Sequence, residues 1–253
     1  MESRPRILVL GPPAVVVDDR LVSAGGGRAR ALLAALVLGV NHTVSPDRLI
    51  DVVWGDRAPG AATNALQSHV SHLRRLLGPG SIEAHEHGYL LRATCEEIDA
   101  CVFEHLVEDA AEVQGQDPAS ARSMVRRALS LWRGEAFGEL GPVEPFHLEA
   151  LRLDELRRTA AEIELVAEVA LGERVRAVAQ LRAALAADPY RENLWTLLVE
   201  ALAADGRRAE ALAAWDGYAA ALAALGLAPS APMRHLLDQI VGPGACFLRR
   251  DQR

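Results

Sequence analysis

Thr43-Val-Ser-Pro-Asp-Arg-Leu-Ile-Asp-Val-Val-Trp-Gly55, a short connector, and Asn64-Ala-Leu-Gln-Ser-His-Val-Ser-His-Leu-Arg-Arg75 decide how this chain folds. Ser45 precedes Pro46. The hydroxyl can accept from a free N–H of a first helical turn, and a proline at the first helical position loses no bond. Asp47 lies where the helix dipole favours an anion, and Gly55 can take the left-handed conformation that ends a helix. Leu49, Ile50, Val53 and Trp54 supply one buried face. In the second piece Leu66, Val70, Leu73 and Leu77 fall within about 60° of one another at 100° per residue. The opposite side carries Asn64, Ser68, Ser71, His72 and Arg75, with Gln67 and Arg74 on its flank. Such side chains reach base edges or phosphates in a major groove. A capped helix, a connector and an amphipathic helix with an arginine-bearing polar face is the pattern of a helix-turn-helix reader; for that helix alone, an ordinary solvated face is the competing reading.

The flanks complete a small domain. Arg6–Gly11 and Ala14–Val17 are apolar runs broken by Gly11-Pro12-Pro13 and by Asp18-Asp19, which reads as an N-terminal antiparallel sheet. Gly25-Gly26-Gly27 leads into a helix that opens with Arg28 and Arg30 and runs to Leu38. After Gly78-Pro79-Gly80, the runs Ser81–Ala84 and Gly88–Arg92 read as a hairpin, with His85, Glu86 and His87 at its tip. A hairpin there is placed as a wing. Sheet, three helices and wing predict an α+β winged helix-turn-helix domain over 1–94. Arg28, Arg30 and Arg92 are the expected backbone contacts, and His85 and His87 the wing contacts.

Near Thr94 to Ile98 alternation gives way to helical periodicity, and a second domain is expected over 98–242. Phe103, Leu106, Val107 and Ala110 open one helix, Ala121 to Trp132 forms another, and Phe146 to Ala170 reads as one long helix. A 34-residue repeat follows: Gly172 with Gly206, Arg174 with Arg208, Ala177 with Ala211, Leu181 with Trp215. Each copy ends a helix at the glycine and begins another just beyond it. Pro189 and Pro229 close the units. This is tetratricopeptide spacing, so the expected fold is an all-α, tetratricopeptide-like helical repeat whose stacked pairs form a partner surface. Trp132, Trp195 and Trp215 are expected in packing. Residues 243–253 read as a flexible tail.

Composition narrows the function. The chain of 253 residues carries a net charge of −7, unevenly shared: 10 Arg against 8 acids over 1–94, and 17 against 26 beyond. A mildly basic reader on an acidic body is expected to bind DNA modestly and with salt sensitivity. All 27 basic residues are arginine, which removes Schiff-base and Walker-type lysine chemistry. With no G-x-S-x-G and no H-E-x-x-H, an enzyme is not expected, nor is a cofactor. Cys95, Cys101 and Cys246 lack C-x-x-C spacing and read as free thiols in a reducing cytoplasm, and no metal site is expected, including at Glu83, His85, Glu86 and His87. No apolar stretch is long enough to span a bilayer.

With these residues in view, 1 to about 242 resembles the SARP family, the actinomycete antibiotic-pathway activators that join an OmpR-type winged helix to a bacterial transcriptional activation domain. The likeness rests on Ile7–Pro12, Arg28–Leu33, Val44–Asp51, Trp54-Gly55, Leu73–Gly78, Gly88-Tyr89, Ala128–Gly134, Ala209–Trp215 and Leu225–Arg234. It implies a transcriptional activator that binds direct repeats in double-stranded promoter DNA, forms a homodimer there, and contacts RNA polymerase holoenzyme including the sigma factor. Two positions depart from the family's habit. His72 stands where arginine is usual, and the wing is less basic. The alternative they keep open is a tetratricopeptide-like adaptor with a degenerate winged helix and weak or no DNA binding.

Overall fold

The computed structural model describes residues 6–242; the expected tail at 243–253, with Cys246, lies outside the described residues. Two compact units are present, 6–112 with 123–161, and 113–122 with 162–242.

The first unit opens with β1 (Ile7–Leu8), β2 (Ala14–Val17) and β3 (Arg20–Ser23), an antiparallel sheet in that order. The third strand goes beyond the two apolar runs of the sequence: its exposed, polar-flanked residues carry little hydrophobic signal, and pairing with β2 creates it. Helix α1 (Gly27–Leu38) follows, then β4 (Thr43–Val44), α2 (Pro46–Trp54) and α3 (Ala62–Leu77). Ser45 caps α2 as its position predicts, its Oγ accepting from the Arg48 N–H at 3.3 Å. Gly55, at φ 52°, ends the helix in a conformation that favours glycine. The wing is β5 (Ile82–His85) and β6 (Gly88–Leu91), and β4 pairs with β6 to give the order β4-β6-β5. Gly88 sits at φ 150° with its α-carbon against the Val44 backbone, where a β-carbon has no room. Leu32, Leu33, Leu36, Leu49, Leu66, Leu73 and Ile82 form the buried centre.

Thr94 and Glu97 form a capping box around a 3-10 turn, and α4 (Asp99–Val113) begins directly after it. Here a side chain the sequence leaves unremarked binds distant segments together. The wholly buried Asp99 accepts from the Val9 and Leu10 N–H groups at 2.7 and 3.0 Å, and from its neighbour Ala100 at 2.8 Å. Burial pushes its carboxyl up to about 6, against the opposing pull of those N–H donors and of Arg133. The returning chain closes the clamp: Arg133 N–H donates to Leu10 O and Phe137 N–H to Val9 O, both at 2.7 Å. Helix α5 (Pro118–Ser130) precedes these two donors, and α6 (Phe146–Ala170), the long helix expected from the sequence, follows them. Trp132 packs as expected, edge-on to Phe103 and beneath Arg157.

One expectation is corrected in this region. Cys95 and Cys101 are not free thiols; they form a disulfide. The spacing hides it because the chain reverses through the 3-10 turn, bringing the two α-carbons within 5.2 Å.

In the second unit α7 (Arg174–Ala187), α8 (Glu192–Ala204), α9 (Arg208–Ala223) and α10 (Ala231–Val241) stack in sequence. Gly172 and Gly206 sit at φ 83° and 72°, so the repeat's glycines are its helix-ending positions. Leu181, Leu198, Val199, Leu202, Ala211 and Tyr218 lie in its core. Gly217 admits the Trp195 ring, and Trp195 donates its indole N–H to Pro189 O at 2.9 Å. Trp215 and Tyr218 rings pack at 5.8 Å. Glu192 ties three helices, accepting from Tyr218 on α9 and from Ser230, the cap of α10. Among the described residues no helix is long and apolar enough to cross a membrane.

Candidate nucleic-acid interface

Helix α3 is positioned by what it buries. Leu66, Val70, Leu73 and Leu77 are all at least nine-tenths buried, and they face α1, α2 and the wing strand β5. Burying four such side chains contributes roughly 1.5–3 kcal/mol each, which fixes the helix's rotation about its axis. The opposite face is therefore delivered to solvent: Asn64, Gln67, Ser68, Ser71 and Arg75 are exposed together. The Ser68 hydroxyl donates back to Asn64 O at 3.0 Å. Among the described residues, the Arg75 side chain has neither a hydrogen bond nor an ion pair, so its guanidinium is presented whole.

The other expected contacts lie differently. His72 is half-buried and turned toward the start of α1, its Nε2 3.1 Å from Ala24 O and close against Gly25. Arg74 is also half-buried and donates its Nε–H to Ile82 O at 2.8 Å, joining α3 to the wing. On α1, Arg28 is exposed at the first turn, its guanidinium 5.9 Å from the centre of the Trp54 ring. Arg30 instead pairs with Glu139 and donates to Gly25 O at 2.9 Å. In the wing, Arg92 donates twice to Glu83, at 2.6 and 3.0 Å, and holds that carboxyl below the ordinary range. His85 contacts the same carboxylate at 3.1 Å. Glu86 and His87 form the exposed turn of the hairpin.

One residue at this face escapes a reading by helical phase. His69 lies between the buried stripe and the polar face, its ring 5.9 Å from that of Trp54. Its pKa is held below the ordinary histidine range, first by burial and then by Arg28 and His72. Nothing in the sequence announces this, since Arg28, Trp54 and His69 come from three different helices. Among the described residues, the resulting surface is a polar face with Arg75 unpaired, bordered by Arg28 on one side and a wing whose arginine, Arg92, is held by Glu83.

Two family models match the chain. Residues 24–91 match "Transcriptional regulatory protein, C terminal", and residues 98–241 match "Bacterial transcriptional activator domain". Regulatory protein AfsR of Streptomyces coelicolor is 36% identical over 93% of this chain, which spans only 24% of that protein. Regulatory protein DnrI of Streptomyces peucetius is 31% identical, with 93% of this chain and 92% of DnrI covered. Transcriptional regulatory protein EmbR of Mycobacterium tuberculosis is 34% identical over 95% of this chain and 64% of its own length. The solved structure of EmbR in complex with a low affinity phosphopeptide superimposes with a TM-score of 0.83 at 30% identity, over 94% of this chain and 65% of that one.

Proposed function

Since the chain belongs to the SARP family of transcriptional regulators, we propose that it is a DNA-binding activator of promoters for secondary-metabolite, antibiotic-pathway genes. In this reading α3 enters a major groove of a promoter direct repeat, the wing lies along the adjacent backbone, and Arg28 and Arg92 approach phosphates. Residues 98–242 serve self-association as a homodimer and contact with RNA polymerase holoenzyme, sigma factor included, in the cytoplasm. The observation that carries it is the joint exposure of Asn64, Gln67, Ser71 and Arg75 on the one face of α3 that packing leaves open. Asn and Gln suit adenine edges, and Arg suits guanine.

The test is a fluorescence-anisotropy titration at fixed salt with promoter DNA from upstream of the neighbouring gene cluster. Arg75→Ala and Gln67→Ala each weaken binding by about 5- to 150-fold, the equivalent of 1–3 kcal/mol, and leave the melting temperature unchanged. Unchanged binding by both variants sinks the recognition-helix assignment. The internal pairing of Arg30, Arg74 and Arg92 favours a second reading, an adaptor whose winged helix no longer binds DNA. That reading requires the unsubstituted chain to show no sequence-specific binding at moderate salt.

A further inference from the structure

Cys95, Cys101 and His105 converge on one small, partly exposed patch beside the connector that leads into α4. Cys101 and His105 are one helical turn apart on α4, and Cys95 reaches them from the preceding 3-10 turn. The His105 Nδ1 lies 2.9 Å from the Cys95 sulfur and 3.8 Å from the Cys101 sulfur, and all three atoms are within 4.8 Å of one another. The same nitrogen also stands 3.0 Å from Cys101 O, so the backbone of α4 holds the imidazole over both sulfurs. In a tetrahedral site with metal–sulfur bonds of about 2.3 Å and metal–nitrogen bonds of about 2.0 Å, ligand atoms stand about 3.5–3.8 Å apart. For a nitrogen and a sulfur the value is about 3.5 Å, and the His105 nitrogen stands within about 0.6 Å of it from each sulfur.

We propose that in the reduced chain Cys95, Cys101 and His105 bind a soft divalent cation of the zinc class, and that the disulfide is the metal-free, oxidised form of the same site. Two thiolates and an imidazole select zinc-like ions over magnesium or calcium, which take oxygen ligands. Three protein ligands and an exposed histidine leave a fourth position for water. The chemistry balances. A phosphine reductant breaks the S–S bond, takes an oxygen from water to become the phosphine oxide, and leaves two thiols. The cation then displaces one proton from each thiol to the buffer, and the imidazole contributes a lone pair. For this, Nδ1 gives up its 3.0 Å contact with Cys101 O, and the sulfurs separate by rotation of their side chains. Either form closes residues 95–101 into a loop that contains Ile98 and Asp99, through which the N-terminal segment is held.

The experiment uses the whole chain carrying Cys246→Ser, reduced with a phosphine and titrated anaerobically with Co2+. The expected result is a saturable near-ultraviolet thiolate-to-cobalt band with visible bands of tetrahedral intensity, both abolished by Zn2+. The oxidised protein gives neither band. Cys95→Ser and Cys101→Ser, with circular dichroism confirming the fold, each remove the near-ultraviolet intensity in part or whole. His105→Ala weakens binding by at least roughly tenfold. Absence of the bands in the reduced protein, or bands indifferent to Cys95, Cys101 and His105, overturns the assignment.

Discussion

Asp99→Asn isolates the clamp between the N-terminal strand and α4. The carboxyl is wholly buried, and its pKa rises from the ordinary 3.8 to about 6. That difference favours the protonated carboxyl in the folded chain by about 3 kcal/mol. Because the folded state binds this proton more tightly than the unfolded state, the group's stabilisation is complete below about pH 3.8 and is lost as pH rises through about 6. Lowering the pH from 7 to 4 therefore adds about 2 kcal/mol of stability from this side chain alone. Asparagine keeps the shape and one acceptor, but sets an NH2 against either the Val9 or the Leu10 N–H, at a cost of about 1–3 kcal/mol. It also removes the burden of the buried charge at pH 7. The variant is thus close to the parent at neutral pH and falls behind as the solution is acidified.

The assay is urea denaturation of both proteins across pH 7 to pH 4, followed by fluorescence. The difference between parent and variant is taken at each pH, so that carboxylates common to both cancel. It is expected to move by about 2 kcal/mol in the parent's favour on acidification. A difference that stays flat, or moves the other way, refutes the claim that Asp99 is buried at a cost to its charge.

Ser45→Ala removes the α2 cap and is expected to cost about 1 kcal/mol in chemical denaturation, with no effect if the 3.3 Å bond to Arg48 does not form in solution. Gly88→Ala places a methyl against the Val44 backbone at φ 150°, costing about 1–3 kcal/mol in conformation before any clash. The melting temperature is then expected to fall by roughly 5 °C; an unchanged value argues against β4–β6 pairing. Glu83→Ala releases Arg92 from its carboxylate partner. Promoter binding is expected to tighten, and the slope of log K against log salt to steepen by about 0.9, one phosphate's worth. An unaltered slope in the same titration shows that Arg92 does not reach the backbone.

What was readable in advance was local. The Ser45-Pro46 start of α2, the Leu66–Leu77 stripe of α3, the extent of α6 and the glycines Gly172 and Gly206 all follow from rules that act within one or two helical turns. The resemblance to the family is legible for the same reason: its motifs are short runs in the right order. Strand β3 was not, since its pattern is weak until β2 lies beside it. The site divides along the same line. Exposure of Asn64, Gln67, Ser71 and Arg75 follows from helical phase, because the apolar stripe turns the rest outward.

The fate of the remaining charges needed the tertiary structure. Arg30 meets Glu139 across 109 residues, His72 meets Ala24 O across 48, and Asp99 reaches the Val9 N–H across 90. Cys95 and Cys101, only six residues apart, are joined because a 3-10 turn folds them together. Sequence by itself thus determined the helices, the family and the exposure of Asn64, Gln67, Ser71 and Arg75 on α3, since backbone periodicity and hydrophobic burial act along the chain. Only the folded chain decided which arginines on that reader are free and which are paired. A long side chain bonds whatever packing brings within about 3 Å, and packing is settled by segments far away in sequence.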